Sequence, residues 1–326
     1  MTMVSTSDIS VVVQGPINEF TRRTLQSVRE ILPGAELILS TWKESDLKNL
    51  DYDTLKLNDD PGGYEFCLDC GQLYNVNRLI VSTREGVKIA KRRYVLKLRS
   101  DMELHSNDFI NYFHSFPTKT KYTFLNKKIL IGNIYTRNPH HSYDKMLFHI
   151  GDFFYFGLKE DILTIFDIEL ASQNVALYFR DHKFNPKENT KIFCKYFPEQ
   201  YIWISFIQKF HPINIEHRFD SNKYLIDLHD KILVSNCILI DLKKSGIDCL
   251  KYPINKIKDK DLISQNDYIY LYNKICNEKI DLESFIYFAT KKVFYYMKLF
   301  YMVIKYPERR IRHYIRGKLN RTTKKI

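Results

Sequence analysis

Glycine and proline are scarce in this chain, at 11 and 10 of 326 residues, which excludes collagen-like and linker-rich architectures. Six cysteines are too few for a disulfide framework at this length. Cys67 and Cys70 form one CxxC, but no second Cys/His pair follows at zinc-finger spacing, so both are expected as free thiols. No apolar run reaches the ~18–20 residues of a membrane-spanning helix. The opening stretch MTMVSTSDIS has neither the basic start nor the apolar core of a secretory leader. A reducing cytoplasm is the expected compartment.

Acidic residues nearly vanish toward the end. Residues 291–326 hold twelve Lys/Arg and one carboxylate, Glu308, so almost all of the net charge of +12 sits there and the main body is close to neutral. A protein that grips a duplex carries its charge on the folded face that reads it, so no nucleic-acid partner is expected. Residues 290–306 contain no Gly or Pro, and Val293, Phe294, Met297, Phe300, Tyr301 and Ile304 recur at helical spacing. Lys291, Lys292, Lys298 and Lys305 interrupt that stripe. Such a helix lies on a bilayer and does not cross it, and the basic residues 309–325 add attraction to anionic head groups. A core helix with a solvated basic end, or an RNA-binding arm, would share the pattern.

What is present is ordinary globular material, 44% hydrophobic and 27% charged. The spacing predicts strands over 9–13, 36–40, 55–57 and 94–98, with helices over 21–32 and 75–92 between them. Strand and helix alternating in this way read as a doubly wound, largely parallel sheet flanked by helices, in which ligands sit beyond the C-terminal strand ends. The loops at those ends are Gln14-Gly15-Pro16, Ser40-Thr41-Trp42, residues 58–63 and residues 100–103. Further on, residues 149–157 read as a strand entering a turn, 171–197 as an irregular loop, and Pro198 as the start of a helix. Residues 231–253 read as a strand pair around Lys244-Ser245-Gly246.

Asp101 and Glu103 follow a buried strand, and two carboxylates so placed suit a hard divalent cation, Mn²⁺ or Mg²⁺, that also takes substrate phosphates. A solvated charge pair is the alternative. Gln14, Gly15 and Pro16 are placed to meet a base or ribose, unless they make only a tight turn. Thr41, Asp59, Asp60 and Ser100 lie on the same strand-end loops, with Arg99 where its strand runs into the last of them and Asn77 and Arg78 in the helix before that strand. Arg suits phosphate recognition, although a surface ion pair is its commoner use on a helix. Sugar transfer with inversion would need a carboxylate base. Glu199, early in its helix, and Asp152, after Gly151, are the candidates, and His217 could complete a metal site.

The segments Ile9 to Ile17, Leu32 to Trp42, Asn58 to Gly63, Asn77 to Thr83 and Tyr94 to Asp101 together resemble the WavE lipopolysaccharide-synthesis proteins, as do Gly151 to Gly157 and Pro198-Glu199-Gln200-Tyr201. The likeness covers roughly residues 9–255. It implies a GT-A-like, Rossmann-type glycosyltransferase fold with a D-x-D-like metal motif, here Asp101-x-Glu103, the second carboxylate departing from the commoner Asp. It also implies a nucleotide-sugar donor and a role in lipopolysaccharide core, O-antigen or capsule synthesis. The expected organisation is a catalytic domain over 1–225, a small α/β extension over 226–288, and a basic amphipathic tail over 289–326. The expected partners are the donor, a lipid-linked oligosaccharide acceptor and the anionic inner face of the plasma membrane. The rival reading is a non-catalytic module that binds RNA or polysaccharide through the tail; a phosphosugar or nucleotidyl transferase would use the same sheet.

Overall fold

The computed structural model describes residues 4–67, 71–142, 145–182, 192–252 and 261–305. The chain opens with β1 (Ile9–Gln14), α1 (Thr21–Ile31), β2 (Glu36–Trp42) and β3 (Thr54–Asn58). A two-stranded hairpin, β4 (Tyr64–Glu65) with β5 (Leu73–Tyr74), precedes α2 (Val76–Ile89), β6 (Tyr94–Arg99) and β7 (Met102–Leu104). Then come α3 (Phe109–Tyr112), β8 (Ile129–Gly132), β9 (Phe154–Leu158), α4 (Lys159–Phe166), α5 (Gln173–Ala176), α6 (Tyr178–Asp181) and α7 (Pro198–Gln208). The last elements are α8 (Lys223–Asn236), β10 (Cys237–Ile240), β11 (Ile247–Cys249), α9 (Gln265–Cys276) and α10 (Leu282–Lys305).

Seven strands form the central sheet in the order β10-β8-β9-β6-β1-β2-β3. Only β9 runs against its neighbours β6 and β8; the other pairings are parallel. This is the expected mixed α/β, mostly parallel sheet flanked by helices, consistent with a GT-A-like, Rossmann-type fold. Its centre is apolar on both faces because helices cover both. Ile9, Val11 and Val13 face the core shared with α1, while Val12 faces the core shared with α2, α4 and α7.

Gly86 sets how closely α2 approaches the sheet. A Cβ there would lie 2.5 Å from Val12 Cγ1 and 2.8 Å from Ser40 Cβ. Gly86→Val should therefore cost about 1–3 kcal/mol by overpacking, read as a lower urea midpoint. An unchanged midpoint would mean that α2 can ride outward without loss.

Several expectations are revised by the observed elements. Residues 231–236 are helical, because Asn222 caps α8 through the Leu225 amide and the helix continues to bury Ile232 and Leu233 at helical spacing. The turn at Lys244-Ser245-Gly246 exists, but it joins strands of different sheets: β10 pairs with β8, and β11 pairs with β7. Residues 149–153 precede the strand, which starts at Phe154 because pairing with Leu98 begins there. The short helices α5 and α6 occupy part of the segment expected as an irregular loop; residues 183–191 lie outside the described residues. A boundary at residue 225 falls inside α8, and β10 then joins the central sheet, so the sheet reaches residue 240.

Cys67 is disulfide-bonded, against the free-thiol expectation, whereas Cys194, Cys237, Cys249 and Cys276 are free. Spacing argues against a zinc ligand set but carries no information about oxidation state. Cys70, and the basic stretch 309–325, lie outside the described residues.

Candidate functional site

Strand order reverses between β1 and β6, since β2 and β3 lie to one side of β1 and β6 to the other. In open α/β sheets the crevice at such a switch point takes the ligand. Parallel register sets Gln14 level with Ser40 and with Arg99, which brings three of the expected loops to one edge. Gly15 has φ +116°, a conformation that strains any side chain, and its amide donates to Ser40 O at 3.1 Å. Ser100 stitches the crevice walls together: its amide reaches Gln14 O, and its hydroxyl donates to Pro16 O at 2.8 Å and accepts from Asn18 Nδ2 at 3.1 Å.

Several candidates turn out to be scaffold. Gln14 is buried and its Oε1 accepts from Ser82 Oγ at 2.6 Å, tying β1 to α2. Thr41 is buried and bonds Ser45 Oγ at 3.0 Å. Asn77 clasps the Ala171 backbone with both ends of its amide, at 3.0 and 2.7 Å. Asp60 and Arg78 grip each other at 2.6 and 2.7 Å, and the guanidinium holds the Asp60 carboxyl below its usual range. Asp59 pairs with Lys43 at 2.7 Å on the surface.

The charges concentrate at the end of β6. Arg99 binds both oxygens of Asp101, at 3.0 and 2.7 Å, with its guanidinium 4.4 Å above the Phe153 ring. Because β9 runs antiparallel to β6, the loop before it sets Asp152 beside Lys97. The Lys97 amine donates to the Asp152 carbonyl and stands 3.6 Å from its carboxylate. Burial draws Lys97 down to about 8, with Asp152 pulling the other way. Burial also opposes the charge on Arg99, but Asp152 and Asp101 outweigh it and keep the guanidinium ionised. Lys97 and Phe153 carry no motif signal; only the β6–β9 pairing reveals them.

The proposed metal trio is not assembled. On β7, Met102 and Leu104 turn into the core and Glu103 turns the other way, to Arg23 of α1 and to His105 at 3.5 Å. His217 is buried, 3.3 Å from Asp220 and against the Phe179 ring. Among the described residues no group of three or more His, Cys, Asp or Glu side chains could hold a metal ion. Asp101 alone fits a hard cation. Arg99 takes one lone pair on each of its oxygens, and a carboxylate offers about four in all.

The two candidate bases border one loop, residues 147–152. Gln200, in the first turn of α7, donates to Leu147 O at 2.9 Å and pins the helix there. The Glu199 carboxylate then lies 3.5 Å from His149 Nε2, while His149 Nδ1 is 2.8 Å from Tyr135 O. His149, unmarked in the sequence, thereby stands beside Glu199.

At the far end, the apolar stripe expected on the last helix lies outward on α10. Val293, Phe294, Met297, Phe300, Tyr301 and Ile304 are 58–69% exposed. Phe288, by contrast, is buried on the inner side and stacks on Tyr270 of α9 at 4.4 Å. Among the described residues no helix is long and apolar enough to cross a membrane.

Fold and crevice together define a mixed α/β protein with a charged candidate ligand site at the switch point of a mostly parallel sheet. The sequence pattern described as WavE lipopolysaccharide synthesis matches residues 9–300, and the chain belongs to that family. Membership implies a part in lipopolysaccharide synthesis. No curated protein matches the chain.

Proposed function

We propose that the protein is a glycosyltransferase that moves a sugar from a nucleotide-activated donor to a lipid-linked saccharide in lipopolysaccharide or capsule synthesis. The observation that carries this reading is the Arg99–Asp101 pair at the switch point, flanked by Lys97 and Asp152. Gly15, Pro16 and Ser100 would form the rim around the donor's nucleoside, and Arg99 would meet its diphosphate. The acceptor hydroxyl oxygen attacks the anomeric carbon. The bond from that carbon to the diphosphate breaks, and the nucleoside diphosphate leaves with the electron pair. The hydroxyl proton passes to a carboxylate; Glu199, oriented by His149, or Asp152 would accept it. A divalent cation, Mn²⁺ or Mg²⁺, held by Asp101 and the donor phosphates, would supply charge neutralisation at the leaving group. The exposed stripe on α10 supports a peripheral position on an anionic membrane, placed at the cytoplasmic face of the inner membrane.

Thermal-shift measurements with UDP, GDP, CMP and ADP, each with and without Mn²⁺, test the donor site. One nucleotide should raise the melting temperature by mass action in the wild type and not in Asp101→Ala. Stabilisation by none of them, on folded protein, would sink the transferase reading. With a labelled sugar donor, a nucleoside diphosphate product marks sugar transfer, and a monophosphate marks phosphosugar transfer instead.

A further inference from the structure

A cavity opens on the same edge of the sheet as the switch point. It measures about 890 Å³ and lies between the chain leaving β8, the chain leaving β10 and one side of α10. β8 runs parallel to β6, because both are antiparallel to β9, so all these strand ends point the same way. β8 and β10 stand two and three strands from β6, roughly 10 and 15 Å across the sheet. The chain also connects the two places directly. Residues 241–244 line the cavity, and six residues after Lys244 the Leu250 amide bonds Asp101 O at 2.9 Å.

The lining has a distinctive chemistry. Lys243, Lys244 and Lys298 are exposed at its rim with no ion pair among the described residues. Lys291, also in the wall, is committed to Asp267, and Asp241 is held by Asn133 and the Gln265 amide. On α10, Phe294 and Tyr287 add an aromatic wall that runs on into the exposed apolar stripe. His141 faces the cavity from behind. It is only 6% exposed, yet neither ring nitrogen has a hydrogen-bond partner; Nε2 stands 4.0 Å from Asp267 Oδ1, too far for a bond. A buried polar ring without partners is costly and uncommon. Burial keeps this ring neutral, at about 4, so it offers one donor and one acceptor.

We propose that this cavity is the acceptor subsite and that its occupant is a membrane lipid with a phosphate-bearing head group. The phosphate lies among Lys243, Lys244 and Lys298, the hydrocarbon follows Phe294 onto the outer face of α10, and His141 bonds a polar group of the head. The assignment rests on the sugar-transfer reading for the word acceptor, but not for the lipid. Charge complementarity selects an anionic head, and the adjoining apolar stripe selects a chain still seated in the bilayer. The strand-end geometry then delivers the lipid-borne saccharide toward Asp101 along the same edge.

The test uses the full chain and dioctanoyl phosphatidic acid below its micellar concentration, with inorganic phosphate and dioctanoylglycerol as the separate halves of the probe. Calorimetric titration should show the intact lipid binding at least about tenfold more tightly than either half. Lys243→Ala/Lys244→Ala should weaken it by about tenfold or more, through loss of charge-assisted bonds at exposed positions that do not touch the core. Phe294→Ser should weaken it by several-fold (about a methylene or two of lost burial) and leave phosphate binding unchanged. Affinity untouched by the double variant would overturn the assignment and move binding to the basic C-terminal residues. Phosphate binding as tightly as the lipid would also overturn it, leaving a plain anion site. Nucleotide stabilisation without lipid binding refutes this subsite while the transferase reading stands. Lipid binding lost in the double variant, without any nucleotide binding, keeps the subsite and removes the transferase reading.

Discussion

Asp101→Asn is expected to lower sugar transfer by about two to three orders of magnitude, the usual effect of removing one charge or donor aimed at a leaving group. Glu103→Gln, two residues on, should change it by less than about threefold, the scale of an exposed ion pair. The contrast follows from orientation. Asp101 stands just past β6 in a bidentate pair with Arg99, whereas Glu103 pairs with Arg23 of α1. Neutral Asn keeps the shape but leaves Arg99 with Asp152 as its remaining carboxylate. Some stability is lost with the charge, so rates must be compared below the variant's own melting transition. A direct rate assay on both variants decides the matter. Equal losses would restore the paired-carboxylate metal motif, and no loss in either would remove Asp101 from the chemistry.

The second large effect is on stability. Burial holds both His229 and His141 at about 4, against about 6.5 in the unfolded chain. Between those values the unfolded chain takes up protons that the native state refuses. Stability is therefore complete above pH 6.5 and falls as pH drops toward 4, by up to about 3 kcal/mol per histidine. Against a typical total of about 5–15 kcal/mol this is a large share. His229 has a specific reason to stay neutral, because its Nδ1 accepts the Phe148 amide at 3.0 Å and a proton there would break that bond. Denaturant midpoints at pH 7 and pH 4.5 should differ strongly in the wild type. In His229→Gln the difference should shrink, since one of the two most strongly shifted sites is gone, while burial also lowers His114 and His217. An undiminished difference would assign the acid sensitivity elsewhere.

Local patterns made much of the fold legible. The β-branched run at 9–13 lies in β1, and Pro198 is the first residue of α7. The stripe from Val293 to Ile304 faces one side of α10. Periodicity reports which residues share a face; in β1 neighbours bury it, and on α10 it stays exposed. The strand-end position of Asp101 was readable for the same reason, since a buried strand followed by a polar loop marks an edge.

Partners across the chain were not readable. Asn77 looked like a nucleotide contact and is spent on the Ala171 backbone, 94 positions away. Asp101 and Glu103 looked like one ligand pair, but Arg99 holds the first and Arg23 the second. His149 meets Glu199 only because Gln200 pins α7 to Leu147, and Lys97 meets Asp152 only because β9 runs against β6. The cavity beside α10 draws its walls from four distant stretches.

The sequence by itself determined the alternation of elements, the edge on which chemistry could sit, and the amphipathic character of the last helix, because each depends on residues near one another in the chain. The tertiary structure alone decided which charges meet, since pairing, register and strand direction join residues whose separation no local pattern encodes.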